Sequence, residues 1–122
     1  MEAIEIQAIA RRQREYFLSG ATLPLSARQK ALTNLRAEIV RAETRISDAL
    51  RADLGKCPTE AFMTEIGLTL SELSFVQYHL PRWVKDRPVP TPLANFPARS
   101  FTRPMPYGVT LIMSPWNYPY LL

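Results

Sequence analysis

Between Ser26 and Leu54 the apolar residues Leu32, Leu35, Ile39, Ala42, Ile46 and Ala49 recur at three- and four-residue steps, while Arg28, Arg36, Arg41, Arg45 and Arg51 fall off that line. One apolar stripe with a charged opposite face predicts an amphipathic helix. Ser26 followed by Gln29 has the capping-box spacing, in which a hydroxyl and an amide satisfy backbone donors at a helix start, and Gly55 marks the end. Glu43-Thr44 lies near the midpoint, and the pattern leaves open whether the stretch is one helix or two. A second stripe follows Pro58-Thr59, with Phe62, Ile66, Leu70, Leu73, Gln77 and Leu80 again at helical steps. It is predicted to stop at Pro81, whose nitrogen has no hydrogen to donate. A connection as short as Gly55-Lys56-Cys57-Pro58 would make the two stripes an antiparallel pair that buries both faces. Ahead of them Ile6, Ile9, Tyr16 and Phe17 predict a looser helix over 4–19, closed at Ser19-Gly20.

Beyond Pro81 the helical rhythm disappears. Nine of the eleven prolines lie between Pro81 and Pro119, and Pro88, Pro90, Pro92 and Pro97 predict an extended connector. Ser100-Phe101-Thr102-Arg103 alternates like a strand, placed at an edge by Pro104. Pro106-Tyr107-Gly108 reads as a turn. Val109-Thr110-Leu111-Ile112-Met113 is a short β-rich apolar run of the kind buried on both faces in a parallel sheet. Such a strand needs neighbours that the rest of the sequence does not offer. Pro119 stands where a helix would begin, with Asn117 or Tyr118 as its cap, and the sequence reads as cut in mid-element at Leu122.

Composition narrows the class. With 122 residues, 47% hydrophobic and 21% charged, the chain matches one ordinary globular domain. Ten of the fifteen Lys and Arg precede Cys57 but are mixed with acids, so the net charge of +4 reflects solvated helix faces. No basic run is interleaved with stacking aromatics, which argues against nucleic acid as a partner. The opening Met1-Glu2-Ala3-Ile4-Glu5 is acidic with no long apolar run, so no signal peptide is expected. No stretch approaches the ~18 apolar residues of a membrane span. A single cysteine with no secretory signal points to a reducing, cytoplasmic setting.

Local chemistry is sparse. His79 and Cys57 are too few for a zinc site, and no metal is expected; His79 reads as a helix-end residue near the last carbonyls. The glycines Gly20, Gly55, Gly67 and Gly108 are too far apart for a dinucleotide fingerprint or a P-loop. Cys57 lies in a turn with no base in view and reads as an ordinary thiol. Glu60 and Glu65, five apart, point to different sides of a helix and read as solvated or structural carboxylates, Glu60 suiting the helix dipole.

Four segments appear together in order: Thr64-Glu65-Ile66-Gly67-Leu68, then Pro90 through Ser100 (PTPLANFPARS), then Arg103-Pro104-Met105-Pro106-Tyr107-Gly108-Val109, and Ser114-Pro115-Trp116-Asn117-Tyr118-Pro119. Together they resemble the class 3 aldehyde dehydrogenases, from the Arg28-to-Gly55 helical region to Leu122. The resemblance implies an α/β parent fold with a Rossmann-like NAD or NADP domain, a catalytic domain and a bridging sheet used in a homodimer or higher homo-oligomer. The present chain would be its mainly α-helical beginning with short C-terminal β-strands. Residues 1–97 would form a helical layer with its Pro-rich connector, 98–107 a strand of the bridging sheet, and 108–122 the start of the cofactor domain.

The same resemblance implies that Asn117 donates its amide to an oxyanion hole. Met113, Ser114, Pro115 and Trp116 would line the nicotinamide side of the cofactor, where open α/β sheets place ligands, and Tyr118 would stand near the substrate channel. The parent would oxidise a small-molecule aldehyde to a carboxylic acid. The family's nucleophilic cysteine, base glutamate and glycine motif match nothing here, Cys57 included, so this chain alone is expected to be inactive. A helix cap at Asn117 is the reading without the resemblance, and both roles are compatible. The alternative from another class is a free-standing helical interaction or oligomerisation module.

Overall fold

The computed structural model describes residues 3–122, so the acidic opening at Met1 and Glu2 lies outside the described residues. The first helix, α1, spans Ala3–Leu18 and ends where Gly20 takes φ 77°. Next come α2 (Leu25–Arg41) and α3 (Glu43–Leu54), so the long stripe is two helices meeting at Ala42. Gly55 closes α3 at φ 69°, a left-handed conformation in which a Cβ would crowd the backbone. The capping box predicted at Ser26 does not form. The helix already starts at Leu25, after Pro24, and no side chain caps it. Ser26 therefore sits inside the first turn, past the capping position.

The second helical run begins with α4 (Pro58–Ala61), passes through a π-helical turn at Phe62–Ile66, and continues as α5 (Gly67–Trp83). Pro58 occupies the first turn, where its missing N–H is not needed. Pro81 does not stop α5 as predicted. It lies in the last turn, so only one ladder bond is forgone, and Val84 still donates to the Leu80 carbonyl at 3.2 Å.

Thr33, early in α2, accepts a 3.1 Å hydrogen bond from Gln77, late in α5, while Ile39 meets Ile66 and Leu73 between them. The two helices thus run antiparallel. The core comprises Ile39, Ile66 and Leu73, flanked by Leu32, Ile46, Leu70 and Tyr120. Three predicted stripe positions are displaced from it, Leu35 among them at 49% exposure. Leu50 is buried where Ala49 was expected, because the break at Ala42 resets the helical phase. Phe62 stays exposed while Ala61 is buried, because the π turn inserts a residue into the repeat.

Within the Pro-rich connector, Arg87–Val89 forms β1, which pairs antiparallel with β2 (Ser100–Thr102) in the register Arg87 to Thr102 and Val89 to Ser100. The connector is therefore half of a ribbon, which the prolines alone did not indicate. Pro88 is tolerated because a two-stranded ribbon has only edges. Thr91 Oγ1 accepts from the Ser100 amide at 2.9 Å, and Arg103 reaches Asp86 with two bonds of 2.8 and 2.6 Å at the ribbon's base. The Arg103 guanidinium holds the Asp86 carboxyl below its ordinary range.

Val109–Met113 forms no strand among the described residues, and Leu111, Ile112 and Met113 are each more than 80% exposed. A β ladder exists only between strands, and no described strand lies beside this run, whose first residues face α1. Around residues 119–121 a single turn closes with Leu122 donating to the Tyr118 carbonyl at 3.1 Å.

Candidate functional site

The segment leading to Asn117 is held at one end only. Met113, Ser114, Pro115, Trp116 and Asn117 are all exposed, Trp116 at 88%, and none takes part in a side-chain hydrogen bond found among the described residues. After Asn117 the chain docks. Tyr118 places its ring under the Lys56 ammonium, 4.5 Å from the ring centroid, a cation–π arrangement. Tyr120 is half-buried against the core, and burial pushes its phenol pKa up.

The anchor is Glu65, the one fully buried ionisable side chain among the described residues, at 0% exposure. Its Oε1 accepts from Lys56 Nζ in a short contact, and its Oε2 accepts from the backbone amides of Tyr120 at 2.8 Å and Leu121 at 3.3 Å. Burial pushes this carboxyl's pKa up. The hydrogen bond from Lys56, that from the Tyr120 amide, the Lys56 charge and the Leu121 amide together outweigh burial and hold it below the ordinary glutamate value. The expected cap at Asn117 or Tyr118 is thus not what satisfies the terminal turn. Pro119 has no N–H, and the next two amides are already taken by a carboxylate 55 residues earlier in the chain.

Local sequence explains how Glu65 reaches inward. In the π turn the Gly67 amide donates to the Phe62 carbonyl, one residue further back than in an α-helix. A Cβ on Gly67 would lie 2.9 Å from that carbonyl oxygen, so the turn requires glycine there. Ala61, Glu65 and Ile66 are all turned to the interior, whereas Glu60 is exposed in the first turn of α4. The two glutamates do face different sides, and Glu65 proves structural and not solvated. Sequence reasoning included Glu65 in a motif but gave it no partner. The usable signal was a carboxylate beside Ile66 on an apolar stripe; Lys56, in an exposed-looking turn, carried none.

Other candidates hold no chemistry. Cys57 is exposed, and among the described residues no group of three or more His, Cys, Asp or Glu is placed to hold a metal. His79 does not sit against helix-end carbonyls; it stacks on Trp83 at 5.7 Å and contacts Phe75 at 4.3 Å between centroids. Four residues apart in turn, these rings share one helix face. An apolar groove of about 590 Å³ between α1 and residues 109–111, lined by Ile6, Ile9 and Leu111 among others, contains no titratable group. Among the described residues no helix is long and apolar enough to cross a membrane.

Comparison with known proteins accounts for this arrangement. The model of the aldehyde dehydrogenase family matches residues 1–122. The chain is 40% identical over 107 residues to the 4,4'-diaponeurosporen-aldehyde dehydrogenase of Staphylococcus aureus, covering 88% of this chain and 23% of that protein. It is 38% identical over 111 residues to aldehyde dehydrogenase family 3 member A2 of Macaca fascicularis, covering 91% of this chain and 23% of the relative. A solved structure described as the substrate-bound state of Staphylococcus aureus AldH superposes with a TM-score of 0.87 at 37% identity, over 99% of this chain and 26% of that one. The chain therefore spans about a quarter of the length of the relatives it matches.

Proposed function

Because the chain belongs to the aldehyde dehydrogenase family, we propose that it forms the amino-terminal part of a subunit that oxidises a small-molecule aldehyde to a carboxylic acid with NAD or NADP. The carrying observation is the Ser114-to-Pro119 segment, an exposed chain bearing an amide donor and docked immediately afterwards onto a buried ion pair.

In this reading Asn117 contributes one oxyanion donor. When a cysteine thiolate from elsewhere in the subunit attacks the aldehyde carbon, a carbon–sulfur bond forms and the carbonyl electron pair moves onto oxygen. A fixed amide at that oxygen lowers the barrier by roughly 3 to 4 kcal/mol. A bound nicotinamide would supply the hydride acceptor for the same carbon, and water would then release the acid. Met113 to Trp116 fit one side of such a cofactor: they are exposed, non-helical and largely apolar, suited to shape and backbone contact. They offer no cationic or glycine-rich cradle for its phosphates, which other segments would supply. Tyr118, turned toward Lys56, would border the substrate channel through its exposed edge.

The exposed run Leu111–Met113 supports a place within a larger sheet, and with it the division into a helical layer over 1–97, a bridging strand over 98–107 and the start of the cofactor domain from 108. A cytoplasmic homo-oligomer belongs to the same reading. Alone, the chain is expected to be inactive. In the complete subunit Asn117→Ala is expected to lower kcat/KM by roughly 10² to 10³; an unchanged rate would remove Asn117 from the catalytic list. For the free-standing interaction module, light scattering and hydrogen exchange on the 122-residue chain would have to show a monomer protected through Ile112.

A further inference from the structure

The geometry points to Lys56 and Glu65 as positioning residues for the Asn117 amide: their buried pair grips residues 118, 120 and 121 and so fixes where the donor stands. This inference rests on the oxyanion role proposed above.

Three observations carry it. First, both side-chain oxygens of Glu65 are directed to this grip, with Oε1 on Lys56 and Oε2 on the Tyr120 and Leu121 amides. Second, Lys56 serves both sides at once, contacting Glu65 and lying over the Tyr118 ring. Third, the chain before Asn117 is exposed from Leu111 through Trp116, so the docked flank on the far side is what ties the donor to the helical layer. A buried ion pair is a poor source of net stability, since desolvating both charges offsets most of their attraction. It is a good source of geometric definition. Both oxygens are committed, and neither charged group can move without losing a partner in a medium that does not replace it.

Catalysis is sensitive to such definition. A displacement of about 1 Å at a reacting group is enough to cost on the order of 100-fold in rate. Pro119 has no N–H, and the two amides that follow it are the ones Glu65 holds.

The test uses the complete subunit with four variants: Glu65→Gln, Lys56→Gln, Asn117→Ala, and Glu65→Gln combined with Asn117→Ala. Glu65→Gln keeps the shape and loses the charge. Measured per active site titrated, it is expected to lower kcat by roughly 10- to 100-fold, with the KM for aldehyde and for nicotinamide cofactor within about twofold; loss of folded enzyme would lower the number of titrated sites and leave kcat per site unchanged. If Glu65 acts through Asn117, the combined variant is no slower than Asn117→Ala alone, within about threefold. Lys56→Gln carries the same test should Glu65→Gln fail to accumulate as folded protein. A slow Asn117→Ala beside a Glu65→Gln or Lys56→Gln of unchanged kcat overturns the positioning role and spares the oxyanion reading. Losses that multiply in the combined variant overturn it equally. An Asn117→Ala of unchanged rate removes the oxyanion reading itself, and the positioning role falls with it.

Discussion

Replacing Lys56 by methionine keeps most of the side chain's volume and removes its charge, leaving Glu65 as an uncompensated carboxylate in a site with 0% exposure. Breaking a buried pair by deleting one partner costs about 3–5 kcal/mol. Here the lower end applies, because the amides of Tyr120 and Leu121 still donate at 2.8 and 3.3 Å and the lysine side chain was itself 11% exposed. A loss of about 3 kcal/mol corresponds to roughly 10 °C in Tm for a chain of this size. The pH dependence is more diagnostic than the magnitude. In the native chain the folded-state pKa of Glu65 is lowered, so its contribution is present above the ordinary glutamate value and fades as pH falls through the folded value. In Lys56→Met the Lys56 contributions vanish while burial remains, so the folded pKa rises and protonation relieves the variant as pH falls. The stability gap between the two proteins is therefore expected to be widest near neutral pH, to narrow as pH falls through the variant's raised pKa, and to close only below the native chain's lowered one. Urea denaturation followed by circular dichroism at a series of pH values measures it. A gap that stays constant over that range, or a loss below about 1 kcal/mol at neutral pH, would refute the assignment of Glu65 as a charged buried partner.

Three further outcomes follow from the packing. Gly67→Ala sets a Cβ 2.9 Å from the Phe62 carbonyl oxygen and is expected to destabilise by about 1–3 kcal/mol, as overpacking does, with loss of hydrogen-exchange protection at the π turn. Ile66→Ala, at 1% exposure in the core, should lose about 2–5 kcal/mol in the same urea assay, whereas Leu35→Ala, half-exposed on α2, should change stability by less than about 1 kcal/mol. The double variant Lys56→Met/Glu65→Leu should recover part of the Lys56→Met loss. It should remain about 1–2 kcal/mol below the native chain because the Tyr120 and Leu121 amides lose their acceptor; full recovery would show that those bonds contribute nothing.

Much of the helical layer was legible from residue order, because helix formation and capping depend on neighbours three and four positions apart. The stripes through Ile39 and Leu73, the stops at Gly20 and Gly55, and the start at Pro58 are of this kind, and all appear in the structure. The failures are also local in cause. Pro81 reads as a barrier, although a proline in a final turn forgoes only one bond, and Ser26 lies two residues past the N-cap position at Pro24. The ribbon of β1 and β2 was half seen, since alternation marks a strand and does not name its partner.

What residue order could not supply is everything that joins distant segments. The four motifs of the resemblance pointed to the family, and Asn117 to a proposed role, without indicating what supports that residue. Nothing in spacing relates Lys56 and Glu65 to the amides of Tyr120 and Leu121, because a carboxylate's partner is set by where the helices pack. The sequence by itself determined where the helices lie, most of their buried positions and a family resemblance, all of which depend on short-range repetition or matching motifs. Tertiary structure alone decided that Glu65 is buried and charged and that the chain beyond Asn117 is fastened to it. A charge removed from water is tolerable only where packing has already delivered its partners.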